Sequence, residues 1–162
     1  MQLPIIEQHY KTYIRPIIDF GSEIYYPYTI KNSRIIELVQ KRITRTIVFR
    51  KFRKYYPYNK RLELLDLQPL NQRRLINDMV TFNKIINSKL KIENKYLPTH
   101  SINSNQKLRF ITPFAKLNCR YHSYFVRNTR LHNKIGHKLP NFKSYSQLRK
   151  TLSTLDLEQF IK

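Results

Sequence analysis

The chain has 162 residues and a formal net charge of +21, set by 31 Lys and Arg against 10 Asp and Glu. That length suits one cored domain or two small helical units, and 41% apolar content argues for a packed interior. The two glycines, Gly21 and Gly136, exclude Gly-rich phosphate-binding signatures and leave little for tight hairpins, so helices are favoured.

From Leu3 to about Tyr26, residues Ile6, Tyr10, Tyr13, Ile17, Phe20 and Ile24 recur at spacings of four and three. That pattern is one stripe of an amphipathic helix, with a kink expected at Pro16, which lacks a backbone donor. The segment PYTIKNS is a connector, in which Asn32 or Ser33 can cap a second helix. This helix, about Arg34 to Arg53, puts Ile36, Val39, Ile43 and Ile47 on one side and Arg34, Lys41 and Arg45 opposite. The apolar side is expected to meet the core while the basic side faces outward. Beyond it, FRKFRKYYPYNKR adds charge interleaved with Tyr55, Tyr56 and Tyr58, and Pro57 ends any helix. From Arg34 to Arg61 the only acid is Glu37, against ten Lys or Arg, so this stretch repels itself and attracts a polyanion.

A short helix fits RLELLDL, and a longer one from Leu70 to about Asn87 carries Leu75, Met79, Phe82 and Ile86 on one stripe. Its first turn holds Arg73 and Arg74, an unfavourable place for cations unless an anion sits nearby. Ser88 to Gln106 is polar and Asn-rich, reads as a loop and is the expected subdomain boundary. Between Lys107 and Arg130, RFITPF and YHSYFVR have strand-like composition, and a hairpin is one reading of them. The tail SYSQLRKTLSTLDLEQF reads as a last helix beginning near Ser144 or Ser146. The expected fold class is mainly α: a small helical bundle over residues 1–88, a polar loop over 89–106, and a smaller basic α or α+β unit over 107–162.

The basic clusters single out Arg34, Lys41, Arg42, Arg45, Arg50, Lys51, Arg53 and Lys54 as candidate nucleic-acid contacts, joined by Arg73, Arg74, Arg127 and Arg130. The bland alternative is a solvated face enriched in lysine by AT-rich coding, which accounts for lysine better than for clustered arginine. The neighbouring tyrosines fit two roles equally, core packing or stacking on exposed bases. Sequence-specific reading of bases is not expected, since no DNA-reading motif is present. Cys119, His122, His132 and His137 form a C-x2-H…H-x4-H set, but the spacing between its halves is short for a zinc finger, and no metal or other cofactor is expected. Asp19 and Glu23 lie four apart, yet Arg15 one turn before Asp19 makes an ordinary ion pair the better reading. A lone cysteine and no secretory leader fit a reducing, intracellular setting, nucleus or cytoplasm. No apolar run reaches the length of a membrane span.

Four blocks in order carry a family likeness. The runs YKTYIRPIIDFGSEIYYPYT, IIELVQKRITRTI, RLELLDLQPLNQRRLINDM, and SYFVRNTRLHNKIGHKLP followed by SYSQLRKTL resemble the thumb and C-terminal region of non-LTR (LINE-type, jockey-like) retrotransposon reverse transcriptases. In this chain Ile135 and the tripeptide GHK interrupt the closing Asn-x-Leu-Pro element, and His132 stands where the family usually has an aromatic. The resemblance implies helices that grip the backbone of an RNA or RNA–DNA template–primer duplex, next to a palm domain that this chain does not contain. Palm aspartates hold two metal ions in such enzymes, whereas Asp19, Asp66, Asp78 and Asp156 are scattered singly here. No catalysis is therefore expected of this chain alone. The rival from another class is a standalone basic helical module that binds a protein partner through its apolar stripes.

Overall fold

The computed structural model describes residues 3–87, 98–99, 109–139, 144–155 and 157–160. Among these the chain is mainly helical and contains no strand. It divides into two compact units, Met1–Gly21 with Pro27–Arg73, and Ser22–Tyr26 with Arg74–Lys162. The division thus falls between Arg73 and Arg74, inside a helix, whereas the composition placed it in the Asn-rich stretch. That stretch lies outside the described residues apart from Pro98 and Thr99.

The first unit opens with α1 (Leu3–His9), a π-helical turn (Tyr10–Ile14) and α2 (Arg15–Asp19). The expected kink is a π turn that precedes Pro16. The Arg15 N–H bonds to the Tyr10 carbonyl five residues back, which opens the helix where the proline ring would otherwise crowd a carbonyl. Helix α2 closes with Phe20 N–H on the Pro16 carbonyl, and Gly21 at φ +66° turns the chain away. The single stripe to Tyr26 is thereby corrected. The extra residue in the π turn shifts the helical phase, so Tyr10 is buried while Tyr13, Ile17 and Phe20 are exposed.

Helix α3 (Ile30–Phe52) starts ahead of the expected Asn32/Ser33 cap: Thr29 is the N-cap, and its hydroxyl accepts from Asn32 N–H at 3.2 Å. Ser33 instead donates its hydroxyl to Asn71 at 2.9 Å. Arg53, left-handed at φ 55°, ends the helix. The inward face of α3 differs from the predicted one. Its buried residues are Glu37, Gln40, Thr44, Ile47 and Val48, so the interior side is rotated by roughly a quarter turn from the Ile36–Val39–Ile43–Ile47 stripe. Helix α4 (Tyr58–Leu64) follows Pro57 directly, three residues ahead of RLELLDL, and ends where Asp66 turns left-handed at φ 50°. Tyr10, Ile47, Val48, Leu62, Leu65 and Leu67 form the core of this unit, which the start of α5 (Leu70–Asn87) completes in sequence.

In the second unit, the remainder of α5 carries the buried stripe Leu75, Met79 and Phe82 as expected. With Leu131, Ile135, Leu148, Leu152 and Leu157, residues of α5 make a single apolar cluster. The predicted hairpin is absent from the described residues. YHSYFVR lies across the end of α6 (Asn118–Tyr121) and the start of α7 (Tyr124–Ile135). Asn128, Leu131, His132 and Ile135 recur at helical spacing and are all buried, which outweighs the local β propensity of the aromatics. Helix α8 (Tyr145–Thr154) begins where expected, with the Ser144 hydroxyl accepting from Gln147 N–H at 3.2 Å. No helix among the described residues is long and apolar enough to cross a membrane.

Candidate nucleic-acid interface

What turns the outer side of α3 into a basic face is the polar interior behind it. Gln40, fully buried, uses its whole hydrogen-bonding capacity there. Its Oε1 accepts from the Tyr10 hydroxyl at 2.8 Å and from Arg73 Nη1 at 2.9 Å, and its Nε2 donates to the Tyr58 hydroxyl at 2.9 Å and the Gln68 carbonyl at 3.1 Å. Tyr58 in turn donates to the Glu37 carboxylate, whose Oε1 also accepts from the Leu70 N–H at the start of α5. Burial, then the bond to Glu37, drives the Tyr58 hydroxyl pKa far above its usual value. Glu37, the one acid between Arg34 and Arg61, is thus turned inward and spent as a cap for another helix.

The other carboxylates of this unit are mostly engaged too. Glu7 pairs with Lys11 at 2.9 Å and Lys51 at 3.7 Å, and the Lys11 bond holds its pKa below the ordinary carboxylate value. Asp19 pairs with Arg15 at 3.6 Å, as the sequence spacing implied, and with Arg73 at 2.8 Å. Glu63 pairs with Lys60 at 2.7 Å. By contrast Arg34, Arg42, Arg45, Arg50, Arg53 and Lys54 form no ion pair among the described residues and lie at least partly open to solvent. Lys41 is half-buried with its ammonium 5.1 Å from the Tyr58 ring centroid, and Lys51 is exposed but shared with Glu7.

Three of the predicted contact residues are corrected. Arg73, Arg74 and Arg127 are buried, at 3–4% exposure, and so are withdrawn from any outward surface. The anion that Arg73 required at the start of α5 is the carboxylate of Asp19. Arg127 bonds Asp78 at 2.6 Å and the His122 carbonyl at 2.9 Å, and its guanidinium lies 4.0 Å from the Tyr26 ring centroid. Burial pushes the Asp78 carboxyl up to about 6 despite Arg127 beside it. Arg130, half-buried, folds over the Tyr121 ring at 3.3 Å and donates to the Tyr121 carbonyl at 3.1 Å.

The Cys/His set is not gathered. Cys119 is exposed on α6, whereas His132 is buried against Phe110, ring centroids 4.9 Å apart, and Phe82 at 5.9 Å. The His137 side chain lies outside the described residues, among which no three His, Cys, Asp or Glu are grouped to hold a metal. Sequence reasoning passed over Arg61, which together with Arg45, Lys54, Tyr55 and Tyr56 lines a cleft of about 260 Å³. The available signal was its place at the end of the basic-aromatic run FRKFRKYYPYNKR. No family model, curated protein or solved structure matches this chain.

Proposed function

We propose that this chain binds the phosphate backbone of an RNA or RNA–DNA duplex without reading its sequence, as the template–primer-gripping part, distinct from the catalytic palm, of a LINE-type reverse transcriptase. The observation that carries the binding reading is the set of carboxylate-free cations running along α3 and past its end, Arg34, Arg42, Arg45, Arg50, Arg53 and Lys54. Such a one-signed face is unfavourable in isolation and is relieved by a polyanion, with counterions released from the nucleic acid. The polymerase part rests on the four sequence blocks. Most carboxylates of the first unit, Glu7, Asp19, Glu37 and Glu63, are engaged in ion pairs or a helix cap, which leaves them unsuited to hold two catalytic metals.

Affinity for a duplex should fall log-linearly with salt, with a slope near −0.9 per phosphate contacted on duplex DNA. Replacing Arg42, Arg45 and Arg50 by Gln should weaken all sequences alike and lower the slope by up to about 3. Salt-independent binding, or an unchanged slope in the triple variant, would refute the assignment. Primer extension by the purified chain with Mg²⁺ or Mn²⁺ should be nil. Three-frame translation of the DNA upstream should reveal a palm with an aromatic-Ala-Asp-Asp turn, and its absence in every frame would remove the polymerase part.

A second reading, a protein-interaction surface, draws on the exposed apolar residues Tyr13, Ile17 and Phe20, and Ile35, Leu38 and Val39 on α3. In an intact polymerase the palm would be the natural partner for such surface.

A further inference from the structure

We propose that the cleft beside the C-terminal half of α3 takes one unstacked nucleotide of a bound strand, with its phosphate among Arg45, Lys54 and Arg61 and its base against Tyr55 and Tyr56. The proposal rests on the nucleic-acid reading above and gives it a second, non-duplex contact.

Three cations converge on this cleft, and none of them is ion-paired among the described residues. Burial first, and then the Arg45 charge, lower the Arg61 pKa. Arg61 is nevertheless held in place, donating Nη1 to the Lys41 carbonyl at 2.8 Å with its guanidinium 5.4 Å from the Tyr58 ring centroid. Its buried Nε has no hydrogen-bond partner among the described residues. Three unpaired cations around one cleft, Arg61 among them anchored, are complementary to a phosphate, whose oxygens accept several hydrogen bonds at once.

The aromatic half supplies the other requirement. Tyr55 stacks on Phe49 with ring centroids 4.7 Å apart, and the Arg45 guanidinium lies 5.3 Å from its centroid, yet it remains 65% exposed. An exposed ring backed by a stacked neighbour and set beside a guanidinium is suited to stack on a base, worth a large factor in affinity and indifferent to base identity. Bases inside a duplex are stacked and cannot enter, so the cleft distinguishes a single-stranded end from a paired one.

The test compares, by fluorescence anisotropy at fixed salt, a blunt duplex with a duplex of equal phosphate number that bears a single-stranded overhang. The full chain should bind the overhang ligand about tenfold more tightly, the effect of one stacked base. Tyr55→Leu should abolish that preference and leave blunt-duplex affinity unchanged, and Tyr55→Phe should retain it. Equal affinity for both ligands, a preference that survives Tyr55→Leu, or one lost in Tyr55→Phe overturns the cleft assignment while the backbone reading stands. Failure to bind either ligand overturns both.

Discussion

Arg73 Nη2 donates to Asp19 Oδ1 at 2.8 Å and Arg73 Nε to Asp19 Oδ2 at 3.1 Å, a two-pronged pairing between residues 54 apart in the chain. It ties the end of α2 to the first turn of α5 and answers the positive end of that helix, where a cation is otherwise unfavourable. The same guanidinium reaches Gln40, so one arginine joins an ion pair to a neutral network.

Asp19→Ala should therefore leave the buried Arg73 without its counter-charge. Removing one partner of a buried pair costs about 3–5 kcal/mol, and the partial exposure of Asp19 puts the expected loss near ~3 kcal/mol. Urea unfolding gives this directly, and a loss below about 0.5 kcal/mol would show that Arg73 does not depend on Asp19. Arg73→Gln should likewise lower stability but, unlike the triple substitution on α3, leave the salt slope of nucleic-acid binding unchanged.

Gln40→Leu has nearly the same volume but removes two acceptor and two donor sites from a dry interior. Tyr10, Arg73, Tyr58 and the Gln68 carbonyl each lose a partner, and each unsatisfied buried group costs about 1–3 kcal/mol. The variant should be destabilised by at least ~3 kcal/mol in the same unfolding measurement. A neutral result would mean that the network is dispensable, as some buried polar networks are when replaced by apolar groups.

Asp78 gives a pH signature. Its folded-state pKa of about 6 lies above the ordinary 3.8, so the folded chain holds this proton more tightly than the unfolded one. The contribution of Asp78 to stability is then fully present below about pH 3.8, erodes as pH rises through 6, and is constant above. Because other acids titrate in the same range, the measurement is the difference in melting temperature between the native chain and Asp78→Asn. That difference should shift in favour of the Asn variant between about pH 4 and 6.5. A flat difference, or a shift the other way, would mean that Arg127 dominates burial and keeps the carboxylate ionised.

His132 packs between aromatic rings and Cys119 lies exposed, so metal should make no contribution to the fold of the second unit. Elemental analysis of purified protein should find well under one zinc per chain, and chelator should leave helicity and melting temperature unchanged. Stoichiometric zinc that disappears in Cys119→Ala or His122→Ala would overturn this account.

Helicity, the extent of α5, the start of α8 and the concentration of positive charge around α3 were all legible in the residues alone, whereas α8 ends at Thr154, short of the expected DLEQF. Apolar residues at helical spacing and a Ser N-cap are local signals, and net charge is a sum that needs no fold. The side of α3 that faces inward was not legible. Its apolar stripe reads as the core face, but Glu37, Gln40 and Thr44 recur at the same helical spacing and are what the interior takes. Buried polar groups are tolerated only with partners, and those partners, Tyr10, Tyr58 and Arg73, come from three other segments. The same reason separates the arginines. Arg73 and Arg127 carry the charge that Arg42 and Arg50 carry, and it is the distant carboxylates of Asp19 and Asp78, brought to 2.8 and 2.6 Å by tertiary packing, that turn the first two inward.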